Sequence, residues 1–156
     1  MEQDHIFKHR KLKRLRRRVY LANSNTPRLH EEQMAYELAN RYKTRITFLP
    51  VRKIDKMKNA DCLFGGILLE LKYISGNITT VGKRFREATA QANNVYLKIE
   101  NKDISIQDVW RKIKGERQCM MKSTNRTWIK RKPQWLFIQL NGTFHAWHLD
   151  RVKWNV

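Results

Sequence analysis

The sequence ADCLFGGILLELKYI, residues 60–74, predicts two adjacent apolar strands joined by a tight turn. Gly65-Gly66 is placed at the turn, because glycine adopts the backbone conformations that hairpin turns require. In the second strand Glu70 and Lys72 project from the same face, since side chains alternate faces along a strand. The hairpin also brings Asp61 towards that charged face. Two carboxylates and a lysine are therefore expected to converge in an apolar setting.

The expected cluster of Asp61, Glu70 and Lys72 has two interpretations. Buried charges are costly unless they pair or bind a metal ion, so the cluster predicts a divalent-cation site for phosphodiester hydrolysis. The alternative is the solvated face of an edge strand, where Glu70 and Lys72 form a weak surface ion pair. The apolar run on both sides of Glu70 argues against this alternative, because a solvated face should carry more polar positions.

The net charge of the chain indicates which kind of partner it binds. The 156 residues, enough for one domain with a core, include 33 Lys and Arg against 14 Asp and Glu, a net charge of +19. This surplus predicts a polyanionic partner, with nucleic acid as the first candidate. No long amphipathic helix accompanies the charge, as a membrane-surface protein would require, and no apolar run approaches the ~20 residues of a membrane span. The N-terminus lacks the apolar core of a signal peptide, so we expect no targeting signal in this sequence.

Residues 1–25 are predicted to be a basic N-terminal arm, and residues 26–156 a single domain. Within the arm, residues 8–18 read KHRKLKRLRRR. We expect Arg14 and Arg17 to contact nucleic acid, either from a solvated arm or from a helix that orders on the polyanion; a solubilising tail is the alternative. Cys62 and Cys119 lie far apart and outside any metal-ligand spacing, so we interpret them as reduced thiols, with a disulfide as the less favoured alternative.

The remaining pattern predicts an α/β fold. Helices are expected at about 28–42, from a cap at Thr79-Thr80 to about 93, and at 105–114 with Ser105 as its cap. Strands are expected at 45–49, 62–64, 67–74 and 95–99, and a basic connection at 115–133. Asn141-Gly142 predicts a C-terminal hairpin between residues 135–140 and 143–149. This order describes a mixed central sheet flanked by helices, in which strands 67–74 and 95–99 run parallel.

Two segments together resemble the PD-(D/E)XK nuclease superfamily. The first is NADCLFGG, residues 59–66, followed by Glu70-Leu71-Lys72; the second is FREATAQANNV, residues 85–95, which leads into a strand. More narrowly, they resemble the C-terminal tRNA-nuclease toxin domains of contact-dependent growth inhibition (CdiA-type) proteins, over about residues 28–149. A related domain occurs at the C-terminus of some phage head-morphogenesis proteins. Ala60 departs from the pattern, because the superfamily's name places a proline there.

The resemblance implies a restriction-endonuclease-like core and a role for each residue of the motif, whereas the basic arm and the predicted C-terminal β-hairpin are not part of what it matches. Asp61, Glu70 and the backbone carbonyl of Leu71 would hold Mg²⁺ or Mn²⁺, which prefer oxygen ligands. Lys72 would position the attacking water or stabilise the developing negative charge.

The resemblance also implies helix-borne residues at the site. Glu31 would orient Lys72 or assist the metal, with Glu32 and Glu37 as alternates. Gln91 would contact phosphate or water; its alternative is a helix-terminal hydrogen bond. Lys83 and Arg84, on the second helix, would bind nucleic acid.

These features predict a metal-dependent phosphodiesterase, a toxin-type RNase that cleaves tRNA, with RNA favoured over DNA. The cytoplasmic site of action that we expect follows from this interpretation as a nuclease that cuts tRNA. A toxin of this kind would have an acidic immunity protein as partner. Two alternatives stay open. One is a DNA endonuclease of the same fold, and the other is a non-catalytic basic domain that binds nucleic acid or serves a phage structure.

Overall fold

The computed structural model describes residues 19–21, 28–49, 60–122 and 135–149, which form one seven-stranded sheet with three helices. The strands are β1 (Val19–Leu21), β2 (Ile46–Phe48), β3 (Cys62–Phe64), β4 (Ile67–Ile74), β5 (Asn94–Ile99), β6 (Trp135–Leu140) and β7 (Thr143–His148). The helices are α1 (Leu29–Tyr42), α2 (Ile78–Thr89) and α3 (Ile106–Lys122).

The strands lie in the sheet in the same order as in the chain. β1 and β2 are parallel, and β2, β3 and β4 form an antiparallel meander. β4, β5 and β6 are parallel, and β7 returns antiparallel to β6. The predicted α/β architecture, a mixed sheet flanked by helices, is thereby confirmed, and β4 and β5 are parallel as expected.

Each face of the sheet carries its own apolar core. On one face, α1 packs its buried stripe against alternate residues of the sheet; this cluster includes Met34, Ala35, Leu38, Ala39, Ile46, Phe48, Leu69, Leu71 and Tyr96. On the other face lie α2 and α3; that cluster includes Val81, Phe85, Ala88, Val109, Ile113, Ile74, Val95, Leu97 and Ile99. Since residues of β4 and β5 alternate between the clusters, each side chain of these strands is assigned to a face.

Strand β5 is the buried centre of the sheet. All six of its residues are buried, as expected for a strand with parallel neighbours and helices on both faces. Its first residue, Asn94, donates its side-chain amide to the Leu68 carbonyl (2.9 Å) and accepts from the Trp135 backbone N–H (3.2 Å). One side chain thus joins β4, β5 and β6 and fixes their register.

The helix boundaries show where local signals were insufficient. The cap of α2 is Asn77, which accepts a hydrogen bond from the Thr80 N–H (3.1 Å), and not the predicted Thr79-Thr80 pair. The predicted cap of α3 is confirmed, because the Ser105 hydroxyl accepts from the Asp108 N–H (3.1 Å).

Helix α3 continues to Lys122, into the stretch predicted to be a loop. Its added turns bury Glu116, which forms ion pairs with Arg86 of α2 (3.2 Å) and Lys112 (3.1 Å). They also bury Arg117, which donates to the Leu149 carbonyl (2.6 Å). These tertiary contacts outweigh the helix-breaking signal of Gly115.

Strand β1 lies inside the predicted N-terminal arm and was not foreseen. Three residues that follow a strongly basic run give too short a pattern to distinguish a strand from a tail. The arm's Arg14 and Arg17 lie outside the described residues. Both cysteines are free thiols, Cys62 buried and Cys119 exposed. In the part of the chain that the structure covers, no helix is long and apolar enough to span a membrane.

Candidate active site

The candidate site lies where the backbone pairing of the β3–β4 hairpin stops. Gly65 and Gly66 form the turn with φ values of 53° and 88°, the left-handed region that favours glycine. The pairing of β3 with β4 stops at Cys62 and Leu69, and the chain diverges one residue earlier in sequence, at Asp61. The site therefore lies at the mouth of a splayed pair of strands.

Asp61 is held on both sides of this opening. Its backbone carbonyl accepts a hydrogen bond from the Leu49 N–H (3.0 Å), which follows β2. Its side-chain Oδ2 accepts from the Leu71 N–H (2.8 Å) on β4. The Asp61 carboxylate thus forms a hydrogen bond to β4 just beyond the last backbone pair of β3 and β4, and this bond holds it beside Leu71.

Glu70 and Lys72 share a face of β4, as the spacing predicted. Lys72 Nζ forms an ion pair with Glu70 Oε1. The Glu70 side chain is 1% exposed and that of Lys72 is 20% exposed, so Glu70 does not lie on a solvated strand face. The second carboxylate oxygen, Glu70 Oε2, is buried and has no hydrogen-bond partner among the described residues. A buried oxygen without a partner is energetically costly, so this position needs either a cation or a proton that Glu70 shares in a hydrogen bond with the neighbouring Asp61 carboxyl.

Electrostatics couple the two acids. Burial, and after it the negative charge of Asp61, raises the pKa of Glu70 from 4.5 to about 8, although Lys72 opposes the rise. Burial also raises the pKa of Asp61; the Glu31 carboxylate adds to this rise, while the Leu71 N–H and Lys72 oppose it. Near neutral pH the pair therefore retains a proton unless a cation replaces it.

The three candidate helix acids occupy different environments. Glu31 Oε2 accepts from the Arg28 N–H (3.0 Å) at the start of α1, and its charge acts on Asp61. Glu32 accepts from the Tyr36 hydroxyl (3.1 Å). Glu37 binds Lys98 through both of its oxygens, each at 3.0 Å. Of the three, Glu31 is the one whose charge reaches the Asp61 carboxyl.

In the described structure, Gln91, Arg84 and Lys83 form no hydrogen bond or ion pair with Asp61, Glu70 or Lys72. Gln91 donates its side-chain amide to the Glu87 carbonyl (3.3 Å), which is the helix-terminal bond considered as its alternative role. Arg84 forms an ion pair with the Glu87 side chain (2.9 Å). Lys83 is exposed on α2, and the Leu71 side chain is packed in the core.

The carboxylates fit a hard divalent cation only if other ligands assist. Across residues 28–49, 60–122 and 135–149, no group of three or more His, Cys, Asp or Glu side chains could hold a metal ion. Asp61 and Glu70 supply two carboxylates, and Mg²⁺ in phosphate-processing sites is commonly held by one or two carboxylates with water and substrate phosphate. The donor set, with its unpartnered Glu70 Oε2, therefore fits Mg²⁺ or Mn²⁺ bound together with substrate.

Sequence reasoning missed a second group of interacting residues beside the site. Lys98, 5% exposed, bridges Glu37 and Glu100. Glu100 also accepts from the Tyr73 hydroxyl (2.8 Å), and the Tyr73 ring stacks on His30 with centroids 4.2 Å apart. A lysine inside the apolar strand 94–99 was the available signal, but its partners are distant in sequence.

No protein-family model, curated protein or solved structure matches this chain.

Proposed function

We propose that this chain is a metal-dependent nuclease of the PD-(D/E)XK type whose substrate is RNA. The observation that carries the proposal is the pair of buried carboxylates at the splayed end of β3 and β4. Asp61 and Glu70 share one lysine, and Glu70 Oε2 has no partner in the described structure. A cation at this position would satisfy both acids and offset the burial and the Asp61 charge that raise the pKa of Glu70.

The arrangement of elements supports this type of site. A helix with an acid in its first turn (α1) precedes an antiparallel meander (β2–β4), and a further helix (α2) and parallel strand (β5) follow. The resemblance described above implies the same order, with the Asp and the Glu-x-Lys on adjacent strands. In the C-terminal part, β6 and β7 pair around Asn141-Gly142, as the Asn-Gly turn predicts, but this hairpin lies outside the resemblance.

Each residue of the cluster has a chemical task in phosphodiester hydrolysis. Asp61, held by the Leu71 N–H, and Glu70 would supply carboxylate oxygens to the cation, and the Leu71 carbonyl is the predicted third protein ligand. A bound divalent cation would polarise the scissile phosphate and lower the pKa of a water molecule. Lys72, partly exposed beside Glu70, supplies a positive charge that orients the water or stabilises the negative charge that develops. Glu31 adds a nearby negative charge that favours cation binding.

The substrate assignment rests on charge and on the toxin-domain resemblance. A net charge of +19 favours a polyanion, and basic side chains such as Lys83 stand exposed. We infer a toxin-type RNase that acts on tRNA, with an acidic immunity protein as the complementary partner. The metal chemistry itself is indifferent to the sugar, so a DNA endonuclease of this fold is the competing function.

A side-by-side digestion tests the proposal. Purified protein is incubated with total tRNA and with plasmid DNA, each with Mg²⁺, Mn²⁺ or EDTA. We expect tRNA fragments with either metal and intact tRNA with EDTA. Cleavage of plasmid with untouched tRNA would transfer the assignment to a DNase. If neither substrate is cut under any condition, while both are bound, the chain is a binding domain and the nuclease proposal is wrong.

A further inference from the structure

Among the described strands, β4 lacks a neighbour on one edge beside the candidate site. Its antiparallel partner β3 pairs only with residues 67–69, and residues 71–74 pair with β5 on the other side. In the part of the chain described, no strand covers the β3 side of residues 71–74. At an open edge, a ligand can reach side chains on both faces of the strand. Lys72 lies on one of these faces and Tyr73 on the other.

A flat pair of aromatic rings lies at this edge. The His30 ring, at the start of α1, stacks on the Tyr73 ring with centroids 4.2 Å apart and an angle of 3° between the planes. His30 is exposed and Tyr73 is partly exposed. The Tyr73 hydroxyl donates to Glu100 Oε2 (2.8 Å), which prevents the ring from rotating away. One face of the His30 ring is occupied by Tyr73, and the exposed residue leaves the other face to solvent.

The ring pair is tied to the candidate site through two separate elements. His30 immediately precedes Glu31, whose charge acts on Asp61. Tyr73 immediately follows Lys72, which forms the ion pair with Glu70. The rings and the two carboxylates lie on opposite faces of β4, so a nucleic-acid strand that crosses the edge of β4 at residues 71–74 can place a phosphate at the carboxylates and a neighbouring base at the rings.

We propose that His30 and Tyr73 form a stacking platform for an unpaired nucleobase next to the scissile phosphate, an inference that rests on the proposed function. A third ring added to His30 extends a parallel stack that the protein has already ordered. Every base has a π-face, so the platform favours single-stranded or looped substrate without selecting one base. A base in a duplex has both faces covered by its neighbours and cannot stack there.

Binding measured without catalysis tests this directly. Fluorescence anisotropy in EDTA compares a labelled single-stranded oligouridylate with an abasic oligoribonucleotide of equal length. For His30→Ala we expect an affinity loss of about 5- to 100-fold for the base-bearing strand, the range measured for single stacking residues. We expect no change for the abasic strand. His30→Phe keeps a ring without a charge and is expected to retain the wild-type affinity.

His145→Ala is the matched control. It removes a partly exposed histidine from β7, which is three strands away from the β4 strand that carries Tyr73. We expect it to bind both strands as the wild type does. Equal losses on the base-bearing and abasic strands for His30→Ala would overturn the proposal, as would weak binding by His30→Phe, since both identify a charge contact with phosphate. An unchanged affinity for His30→Ala would overturn it as well.

The outcome is separable from that of the proposed function. If the wild type cuts no nucleic acid but His30→Ala shows the base-dependent loss, the nuclease assignment fails and the platform stands. If the wild type cuts tRNA and His30→Ala binds both strands normally, the nuclease stands and the platform fails.

Discussion

Two clusters of buried charge occupy opposite faces of the neighbouring strands β4 and β5, and they are satisfied very differently. On the α1 face, Lys98 is surrounded by carboxylate oxygens: two from Glu37 at 3.0 Å and one from Glu100 at 3.4 Å. On the α2 face, Lys72 is the one cation among the described residues that acts on both Asp61 and Glu70.

The difference separates a structural ion network from a candidate site. Glu37 is partly exposed and Glu100 is exposed, so water can solvate the charge that Lys98 does not neutralise. Glu70 is 1% exposed and its Oε2 has no partner in the described structure, so its charge needs a further cation or a proton. The charges of the first cluster are neutralised by one another and by water, whereas the Glu70 carboxylate of the second cluster needs a cation or a proton.

The largest expected effect is on catalysis. Glu70→Gln keeps the shape of the side chain but removes a metal-binding charge, and we expect turnover on tRNA to fall about 1,000-fold or more. Asp61→Asn should have an effect of the same size. The matched control is Glu37→Gln, the same change in the other cluster, which should leave turnover within about twofold. Initial cleavage rates at saturating substrate give the comparison, and retained activity in Glu70→Gln would remove the distinction between the clusters.

The two lysines sharpen the comparison. Lys72→Ala should lower turnover about 100-fold, because it removes a positive charge placed where negative charge develops. Its affinity for tRNA should change little, since one phosphate contact among many adds little to so basic a surface. The exposed Lys83→Ala should do the reverse, with a small loss of affinity and normal turnover. If Lys72→Ala abolishes binding while saturated turnover stays normal, Lys72 is a binding residue.

The structural network should affect stability more than activity. Glu37→Gln removes the bidentate partner of a lysine that is 6% exposed, and we expect the free energy of unfolding to fall by about 2 kcal/mol. Glu87→Gln, in the exposed pair with Arg84, is the control and should cost less than about 0.5 kcal/mol. Urea denaturation measures both. Equal losses in the two variants would show that burial of Lys98 carries no additional dependence on Glu37.

The last expected effect is a dependence of the free energy of unfolding on pH, caused by Glu70 of the candidate site. The pKa of Glu70 is about 8 in the folded chain against 4.5 as its ordinary value. Its contribution to stability is therefore complete below about pH 4.5 and is lost as the pH rises towards 8. In EDTA, the stability of Glu70→Gln relative to the wild type should rise by about 3–4 kcal/mol between pH 5 and pH 8. A difference that does not vary with pH would contradict the raised pKa.

The sequence could predict the site better than its surroundings because the site is local. Asp61, Glu70 and Lys72 fall within one hairpin, so the glycine turn and the alternation of strand faces were sufficient to bring them together. The choice of Glu31 among three helix acids depends on how α1 packs on the sheet, which no local pattern encodes. The Lys98–Glu37 pair joins residues 61 positions apart, and the stack of His30 on Tyr73 also crosses elements. The added turns of α3 exist because Glu116 and Arg117 find distant partners.

The central position of β5 determines when Glu70 becomes buried during folding. The β3–β4 hairpin needs only contacts close in sequence, so it can form early. Burial of Glu70 requires the parallel pairing of β4 with β5, and β5 is enclosed only when β6 arrives from beyond residue 134. Long-range parallel pairing is slow, because the chain must close large loops before these contacts form. During synthesis, we therefore expect Glu70 to emerge as an ordinary ionised glutamate. Its pKa should rise only after the C-terminal strands have docked and buried it.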